Sequence, residues 1–308
     1  MKKTLLLLTV LFLLAGSQDL LAGRKAKHVI VIGIDGWASW CLQQADPATL
    51  PNIHYLMDNG SYTLKKRSVM PSASAINWAS IFMGVPTEMH CYNAWNSKEP
   101  AIPAAYVNER GIPPTIYSIL REQHPHAETG LVFNWDGIGF VTDTAVIDHV
   151  VYDAGYHNPS SGYTLEKYTR EQALTYIKEK KPEFFTFYIG DQDEVGHALG
   201  WGSPEYYQCM VEIDRSVGLI LQAIKDAGIE KNTVVIMTSD HGGQGRGHGG
   251  FTLEELETPY IIYGSHVKKG FEITDVVMQY DHPATIAYIL GLKAPESWVG
   301  RPVKSAFK

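Results

Sequence analysis

Residues 233–250 read TVVIMTSDHGGQGRGHGG, and this stretch sets the expectation for the fold. Residues 233–237 have the composition of a strand that is buried on both faces. They lead into Asp240 and His241, and His248 follows among six glycines. Neighbours on a regular strand point to opposite faces, so only an irregular turn would let Asp240 and His241 share a site. Carboxylate and imidazole donors on such a turn suit two nearby metal ions, and the alternative is a surface loop with incidental histidines.

Two further apolar runs end in acidic residues. Residues 28–34 (HVIVIGI) end at Asp35, and residues 184–190 (FFTFYIG) lead into Asp193 and His197. The last two residues lie four apart, so one helical turn would place them on the same face. A lone Asp-Gly or Asp-x-x-x-His is usually accidental. The same donor types at three strand ends, however, predict a metal centre where ligands collect in doubly wound folds.

Strands and helices alternate along the chain. The patterns predict further strands at 129–133 and 259–263, and the helix that begins after Ser203 would connect two strands as a βαβ crossover does. We therefore expect an α/β fold with a doubly wound, mostly parallel central sheet, helices on both faces and an inserted loop-rich cap region. The other predicted helices cover residues 50–60, 76–83, 115–122, 163–180 and 281–290.

The first 22 residues are typical of a secretory signal peptide, with a basic head, an apolar run and a small residue for cleavage. The apolar run is too short to span a bilayer, which takes about 18 residues or more, so no stable membrane anchor is expected. Residues 23–308 would form a single domain outside the cytoplasm, periplasmic or secreted. Its segment 93–163, rich in Pro, Gly, Tyr and Asn, would select the substrate.

Composition narrows the function classes. The 308 residues are 45% hydrophobic, enough for a large core, and carry a formal charge of −7. An acidic chain is a poor partner for a nucleic-acid polymer. Cys41, Cys91 and Cys209 allow at most one disulfide and lack the spacing of a metal site.

A candidate nucleophile lies in residues 68–84. Pro71 ends an extended segment, and the apolar and small residues that follow recur with helical spacing. Ser72 or Ser74 would cap this helix. A serine there lies beside free backbone N–H groups and the positive end of the helix dipole, which suits a phosphate.

Together these motifs resemble the alkaline phosphatase superfamily, and most closely its type I phosphodiesterase/nucleotide pyrophosphatase branch. The resemblance extends from His28 to about Leu292 and is weakest between residues 93 and 163. Four segments carry it: the first strand (31–36), the helix after the nucleophile (77–84), the Asp-x-x-Gly-His motif (193–197) and the Asp-His-Gly motif (239–242).

The resemblance implies two divalent metal ions, best matched by Zn²⁺, with Mn²⁺ or Fe as alternatives. Ser74 would be the nucleophile, and its oxygen would bridge the ions; most phosphodiesterases of the branch carry Thr there. His282 is a rival of His248, but beside Pro283 it fits a helix start better. The implied ligands are Asp35, Asp240 and His241 for one ion, and Asp193, His197 and His248 for the other.

Substrate-binding candidates under this resemblance are Asn77, Asn93, Arg246 and the backbone N–H of Ala75, which would stabilise developing charge. Asn77 equally fits a residue that caps its own helix, and Arg246 equally fits a surface charge.

The implied function is hydrolysis of a small phosphate ester, as a phosphodiesterase/nucleotide pyrophosphatase or phosphomonoesterase, through a phosphoseryl intermediate. Sulfatases, phosphonate hydrolases and phosphosugar mutases share the scaffold, but an exported mutase is implausible. A sulfatase needs Cys or Ser followed by x-Pro-x-Arg, and Ser72, Ser74 and Cys91 lack that context. A non-enzymatic, metal-stabilised binding protein would have lost a donor or the hydroxyl. The preference for monoesters or diesters and the oligomeric state stay open.

Overall fold

A computed structural model of the chain describes residues 23–154 and 169–308. Eight strands there form one sheet in the order β4-β3-β5-β1-β6-β7-β2-β8. Of these eight strands, only β7 runs against the others. The predicted mostly parallel sheet is therefore confirmed. The strands are β1 (His28–Ile34), β2 (Ser61–Arg67), β3 (Thr129–Phe133), β4 (His149–Tyr152), β5 (Phe184–Ile189), β6 (Thr233–Ser239), β7 (Glu257–Gly264) and β8 (Phe271–Glu272).

Strand β1 divides the hydrophobic core into two layers. Its alternate side chains point to opposite faces of the sheet, as the period of a strand requires. Val29 and Val31 lie in one buried cluster. Ile30, Ile32 and Ile34 lie in the other. The continuous β-branched run of β1 is thus explained by burial on both sides.

Helices cover both layers. Side chains of α3, α5 and α10 belong to the first cluster, and side chains of α1, α2, α6 and α8 belong to the second. The doubly wound architecture with helices on both faces is confirmed. The α-helices are α1 (Ser39–Gln44), α2 (Pro51–Asn59), α3 (Ser74–Met83), α4 (Thr87–His90), α5 (Ile116–Gln123), α6 (Thr169–Lys180), α7 (Asp191–Leu199), α8 (Pro204–Asp226), α9 (Leu253–Leu256) and α10 (Asp281–Leu290).

The segment predicted to be a loop-rich cap contributes to the sheet as well. Its described part, residues 93–154, contains α5, β3 and β4. The predicted signal peptide and the start of the helix predicted at 163–180 lie outside the described residues. Within the described ranges, no helix is both long and apolar enough to cross a membrane. Cys41, Cys91 and Cys209 are buried and free, without a disulfide.

Candidate metal centre and active site

The predicted donors meet because β5, β1 and β6 are neighbours and run parallel. Asp35 follows β1, and Asp240 follows β6. Asp193 lies in the first turn of α7, directly after β5. Three strands that end at the same edge of a sheet bring the residues after them together. The strand before Asp240 ends at Ser239, so the irregular turn that we predicted begins where the donors begin.

The turn after β1 requires glycine at its closest approach. Gly36 has a φ of +66°, and a Cβ added there would lie 2.7–2.8 Å from atoms of Asp193. Its N–H donates to Asp240 Oδ1 at 3.0 Å. The neighbouring N–H of Trp37 donates to Ser239 Oγ at 2.9 Å. Gly36 thus holds the ends of all three strands in contact.

The three histidines share one hydrogen-bond pattern, in which Nδ1 faces a backbone carbonyl. A carbonyl only accepts, so Nδ1 carries the proton and Nε2 presents its lone pair to the centre. The carbonyl partners are Gly242 for His241 at 2.8 Å, Ser72 for His248 at 2.7 Å and Arg246 for His197 at 3.0 Å.

One donor group consists of Asp193, His197 and His248. The two histidine Nε2 atoms face each other at 3.1 Å. Asp193 Oδ2 lies 3.4 Å from His197 Nε2, and Asp193 Oδ1 lies 3.7 Å from His248 Nε2. The same three residues are the ligand set that the family resemblance implies for one ion.

A second group forms around His241. Its Nε2 lies 3.1 Å from Asp240 Oδ2 and 3.4 Å from Asp35 Oδ1. Asp193 also joins Asp35 and His241 as a third donor, because their ligand atoms lie within 4.8 Å of one another. Asp193 therefore lies between the two groups, a position that the sequence spacing did not predict.

Two aromatic side chains that sequence reasoning missed orient Asp35. Its Oδ2 accepts from Trp78 Nε1 at 2.9 Å and from the Tyr188 hydroxyl at 2.6 Å. Asp35 Oδ1 is buried and has no hydrogen-bond partner. The two donors thus turn one carboxylate oxygen away and leave the other facing His241.

Burial sets the charge state of the site. It lowers the pKa of His241 to about 3. Burial, with the charge of His241 second, lowers the pKa of His248 to about 3. Burial also raises the pKa of Asp193 and Asp240 well above the usual value, and the charge of Asp35 adds to both shifts. His241 and His248 are therefore neutral donors, and the carboxylates lie among like charges.

These observations fit divalent cations. Oδ1 of Asp35, Oδ1 of Asp193 and Oδ2 of Asp240 are buried without a hydrogen-bond partner. The Nε2 atoms of His197 and His248, each unprotonated when Nδ1 of its ring donates to a carbonyl, lie 3.1 Å apart. Such acceptor-to-acceptor contacts are costly alone and become ligand sets around a cation. Neutral imidazole with carboxylate is the donor mix of zinc sites.

Ser74 is the first residue of α3, and its side chain is buried. Its Oγ lies 3.2 Å from His241 Nε2. The prediction that Ser72 or Ser74 caps this helix is wrong, because Ala73 is the N-cap and no side chain caps the helix. Ser72 instead bonds the glycine-rich turn, since its Oγ accepts from the N–H of Gly249 at 3.0 Å and donates to the Gly250 carbonyl at 2.8 Å.

The substrate-binding candidates separate in the structure. Asn77 is fully buried, and its Oδ1 accepts from the N–H of Val69 at 2.7 Å. Its Nδ2 donates to the backbone carbonyls of residues 69, 71 and 73. The N–H of Ala75 donates to the Trp95 carbonyl at 3.0 Å and so is not free for a substrate. The side chain of Arg246 is exposed; its backbone carbonyl is what orients His197.

A cavity of about 590 Å³ opens beside Ser74 and the first donor group. Asn93 lies on its wall, and the substrate-selecting role of its segment stays a prediction. His282 belongs to neither donor group, and its ring packs edge-on against Tyr260, with the centroids 5.7 Å apart. The cavity is lined by Pro71, Ala73, Ser74, Ile76, Asn93, Ala94, Trp95, Asp193, Glu194, His197, His248 and Gly249.

Sequence comparison identifies the family of this chain. The family model described as type I phosphodiesterase / nucleotide pyrophosphatase matches residues 29–257. Ectonucleotide pyrophosphatase/phosphodiesterase family member 1 of Mus musculus is 27% identical over 199 residues, which are 63% of this chain and 21% of that protein. Venom phosphodiesterase CdcPDE of Crotalus durissus collilineatus is 24% identical over 277 residues, 88% of this chain and 31% of that protein. The chain thus spans a third or less of the length of these curated relatives.

Solved structures share the fold. An inactive variant of murine ectonucleotide pyrophosphatase / phosphodiesterase 5, in complex with AMP, superposes with a TM-score of 0.71 at 14% identity, covering 92% of this chain and 100% of that one. A variant of alkaline phosphatase PafA gives 0.72 at 12% identity, with 92% and 99% covered. A 2-O GAG sulfatase gives 0.71 at 13% identity, with 92% and 74% covered. Phosphatase, phosphodiesterase and sulfatase neighbours establish the alkaline phosphatase-like fold.

Proposed function

Because this chain belongs to the type I phosphodiesterase / nucleotide pyrophosphatase family, we propose that it is an exported, metal-dependent hydrolase of small phosphoric esters. The position of Ser74 carries the proposal. Its Oγ lies 3.2 Å from His241 Nε2, at the head of α3 and on the wall of the cavity. A hydroxyl so placed adjoins both donor groups and the space where an ester would bind.

Two divalent ions, Zn²⁺ by the donor chemistry, would be held here. Asp35, Asp240 and His241 would hold one ion beside Ser74. When bound, the ions supply positive charge that lowers the pKa of a hydroxyl and stabilises phosphoryl oxygens. The other ion would be held by Asp193, His197 and His248.

The chain's own residues then account for the reaction. Ser74 Oγ attacks phosphorus, and the bond from phosphorus to the leaving oxygen breaks as the Oγ–P bond forms. The leaving oxygen takes a proton and departs as an alcohol or phosphate. Water breaks the Oγ–P bond of the phosphoserine, which releases the phosphate product and restores the hydroxyl. Trp78 and Tyr188 keep Asp35 in its orientation throughout.

The cavity favours a substrate with one negative charge and an apolar or aromatic group. Among its described lining residues none is Lys or Arg, and Glu194 adds a carboxylate. A phosphodiester carries one negative charge, whereas a phosphomonoester carries about two at neutral pH. Trp95 offers exposed apolar surface, and Asn93 can donate to a phosphoryl oxygen. We therefore propose a linkage in which the reacting phosphorus carries one negative charge, as in a diester or a doubly substituted pyrophosphate, in preference to a monoester.

The proposal is tested with the purified chain 23–308, loaded with zinc. Its rates are measured on aryl esters of four classes: phosphodiester, phosphomonoester, phosphonate and sulfate. We expect the phosphodiester to be hydrolysed fastest, and Ser74→Ala to lose activity by a factor on the order of 1,000 or more. Ser216→Ala, on α8, is the matched control, because its hydroxyl bonds only within its helix.

Three results would contradict the proposal: bound zinc with no ester hydrolysed, full activity in Ser74→Ala, or a sulfate ester hydrolysed fastest. Export is tested separately. When the whole chain is produced in a bacterium, the mature protein should begin near Gly23 and leave the cytoplasm, which N-terminal mass analysis of each cell fraction measures. An intact Met1 terminus in the cytoplasm would refute export alone.

A further inference from the structure

Lys66 is a fully buried lysine on β2, with 0% of its surface exposed. Lysine is among the residue types least often buried, because its ammonium loses hydration there. Neither the ligand sets nor the proposed reaction uses this side chain. A buried amine without a catalytic task needs hydrogen-bond partners, and those of Lys66 are the Ser239 carbonyl and Gln279.

A β-bulge gives Lys66 its direction. Thr63 pairs with Tyr260 and Lys66 pairs with Thr258, so β2 has one residue more than β7 between these pairs. The extra residue reverses the alternation of side chains along β2. Tyr62 and Leu64 pack on the second core cluster, whereas Lys66 comes to the face of the sheet where Tyr260 lies. An unbulged strand would have placed Lys66 on the opposite face.

The side chain of Lys66 forms a hydrogen bond with the last residue of β6. Its Nζ donates to the Ser239 carbonyl at 2.6 Å and to Gln279 Oε1. Gln279 Nε2 donates in turn to the carbonyls of Asp240 at 2.6 Å and Ser239 at 3.2 Å. Ser68 Oγ donates to the same Asp240 carbonyl at 2.6 Å. Two successive carbonyls thus receive four hydrogen bonds.

These carbonyls belong to the backbone that presents Asp240 and His241. The strand ladder ends at Ser239, so neighbouring strands no longer fix the next peptide. The side-chain cluster replaces the ladder where the chain turns. Asp35, the third residue of this donor group, is oriented separately by Trp78 and Tyr188.

We propose that Lys66 is a positioning residue of the metal centre. By holding the carbonyls of Ser239 and Asp240, it aims Asp240 and His241 at the ion that they share with Asp35. The inference rests on the proposed two-ion function, and it predicts that the two ions depend on Lys66 unequally. The ion of Asp193, His197 and His248 should not depend on it.

The test compares Lys66→Met, a substitution of similar length without donors, with Lys65→Met. Lys65 is its exposed neighbour in the same bulge. Zinc affinity is measured for each ion by competition with a chelator, and folding by circular dichroism and urea unfolding. We expect Lys66→Met to weaken one ion per chain by about 10- to 100-fold, the size of effect seen when outer-shell partners are lost. The second ion and the Lys65→Met protein should match the wild type.

Each outcome decides something. A wild type that binds no zinc overturns the proposed function, and this inference with it. Two ions bound with equal affinity by wild type and Lys66→Met overturn the inference alone. Equal weakening of both ions shows a general structural role and overturns it too. If Lys66→Met does not fold, Ser68→Ala removes a smaller member of the cluster. A several-fold weakening of one ion then supports the inference, and unchanged affinities refute it.

Discussion

Each histidine of the centre owes its direction to a carbonyl from an irregular segment. Ser72 lies before α3, whereas Gly242 and Arg246 lie in the glycine-rich turn. Backbone geometry therefore selects the tautomer, and the imidazole lone pairs converge without help from other side chains. Arg246, considered at first for its charge, acts through its main chain.

Burial and the charge of neighbouring carboxylates destabilise the ionised form of the acidic residues in the centre. A single substitution should relieve part of this cost. Burial first, then the charges of Asp35 and Glu194, raise the pKa of Asp193, so its ionised form destabilises the metal-free fold near neutral pH. We expect Asp193→Asn to stabilise the metal-free protein by about 0.5–2 kcal/mol and to weaken zinc binding. Urea unfolding in a chelator measures the first effect. Asp58→Asn, at an exposed site, is the control; a less stable Asp193→Asn protein would refute the argument.

His90 should make stability depend on pH. Burial lowers its pKa to about 4. Its Nδ1 accepts from the N–H of Tyr92, and its Nε2 pairs with Ser80 Oγ, so the neutral ring is the bonded form. Below about pH 6.5 the unfolded chain takes up a proton that the folded chain does not take up until about pH 4. The folded state therefore loses stability as pH falls through this window, by about 3 kcal/mol in all.

The measurement is urea unfolding of wild type and His90→Gln at about pH 7.5 and about pH 5. The wild type should lose about 2 kcal/mol more than the variant between these conditions. His126→Gln, at an exposed position, should keep the wild-type dependence. Equal losses in wild type and His90→Gln would show that His90 contributes nothing.

The meeting of the candidate donors could be predicted because Asp35, Asp193 and Asp240 each follow an apolar run whose end is visible in the sequence, and their role as ligands stays a prediction. Trp78 and Tyr188 could not be predicted. Both are aromatic residues within buried elements, where core packing explains them fully, and their bonds to Asp35 join positions 43 and 153 residues apart. Asn77 was predicted either to bind substrate or to cap its own helix. Its amide instead bonds the backbone of the segment that precedes the helix.

Gly36 brings the turn after β1 into close contact with Asp193. Comparison with a second glycine of similar backbone conformation separates the effect of this contact from the effect of the backbone. Gly36 and Gly111 both have positive φ, +66° and +76°, but a Cβ at Gly111 meets nothing within 4 Å. Alanine at either position should cost about 1 kcal/mol through the backbone. Only Gly36→Ala should also displace Asp193 and weaken zinc binding, because its Cβ would lie 2.8 Å or less from that residue. Chelator competition on both variants measures their zinc affinities. Equal zinc affinities would show that the turn at Gly36 does not position Asp193.

At the scale of elements, β1 could be predicted to the residue because its run of Val and Ile, broken only by Gly33, stops at the charged Asp35. Strand β2 was missed: SYTLKKR reads as polar, and its bulge spoils the alternation that would have revealed it. The run at 259–263 was recognised as a strand, yet an apolar pattern does not encode direction. Only the pairing shows that β7 runs antiparallel to β6.

For the whole molecule, the metal centre links three strands of the sheet, so ligand removal should lower global stability. A ligand that binds only the folded state stabilises it by about 4 kcal/mol when its concentration is about 1,000 times its Kd. We expect a chelator to lower the Tm of the zinc-loaded protein and added zinc to restore it. Thermal scans with zinc, with magnesium and with chelator measure this. A Tm indifferent to all three would show that the fold does not depend on metal.

The neighbours of β1 also constrain the order in which the chain can fold. Its two partners, β5 and β6, begin at Phe184 and Thr233, more than half the chain later. During synthesis the first strand has no sheet partner until those residues have emerged, and its apolar surface stays unburied by the sheet until then. Parallel pairings over such separations form slowly, because the chain loses the entropy of closing a long loop before any stabilising contact forms. A nascent chain that stops before β6 therefore lacks one of the two partners of β1, and the central pairing is complete only after Ser239 has been made.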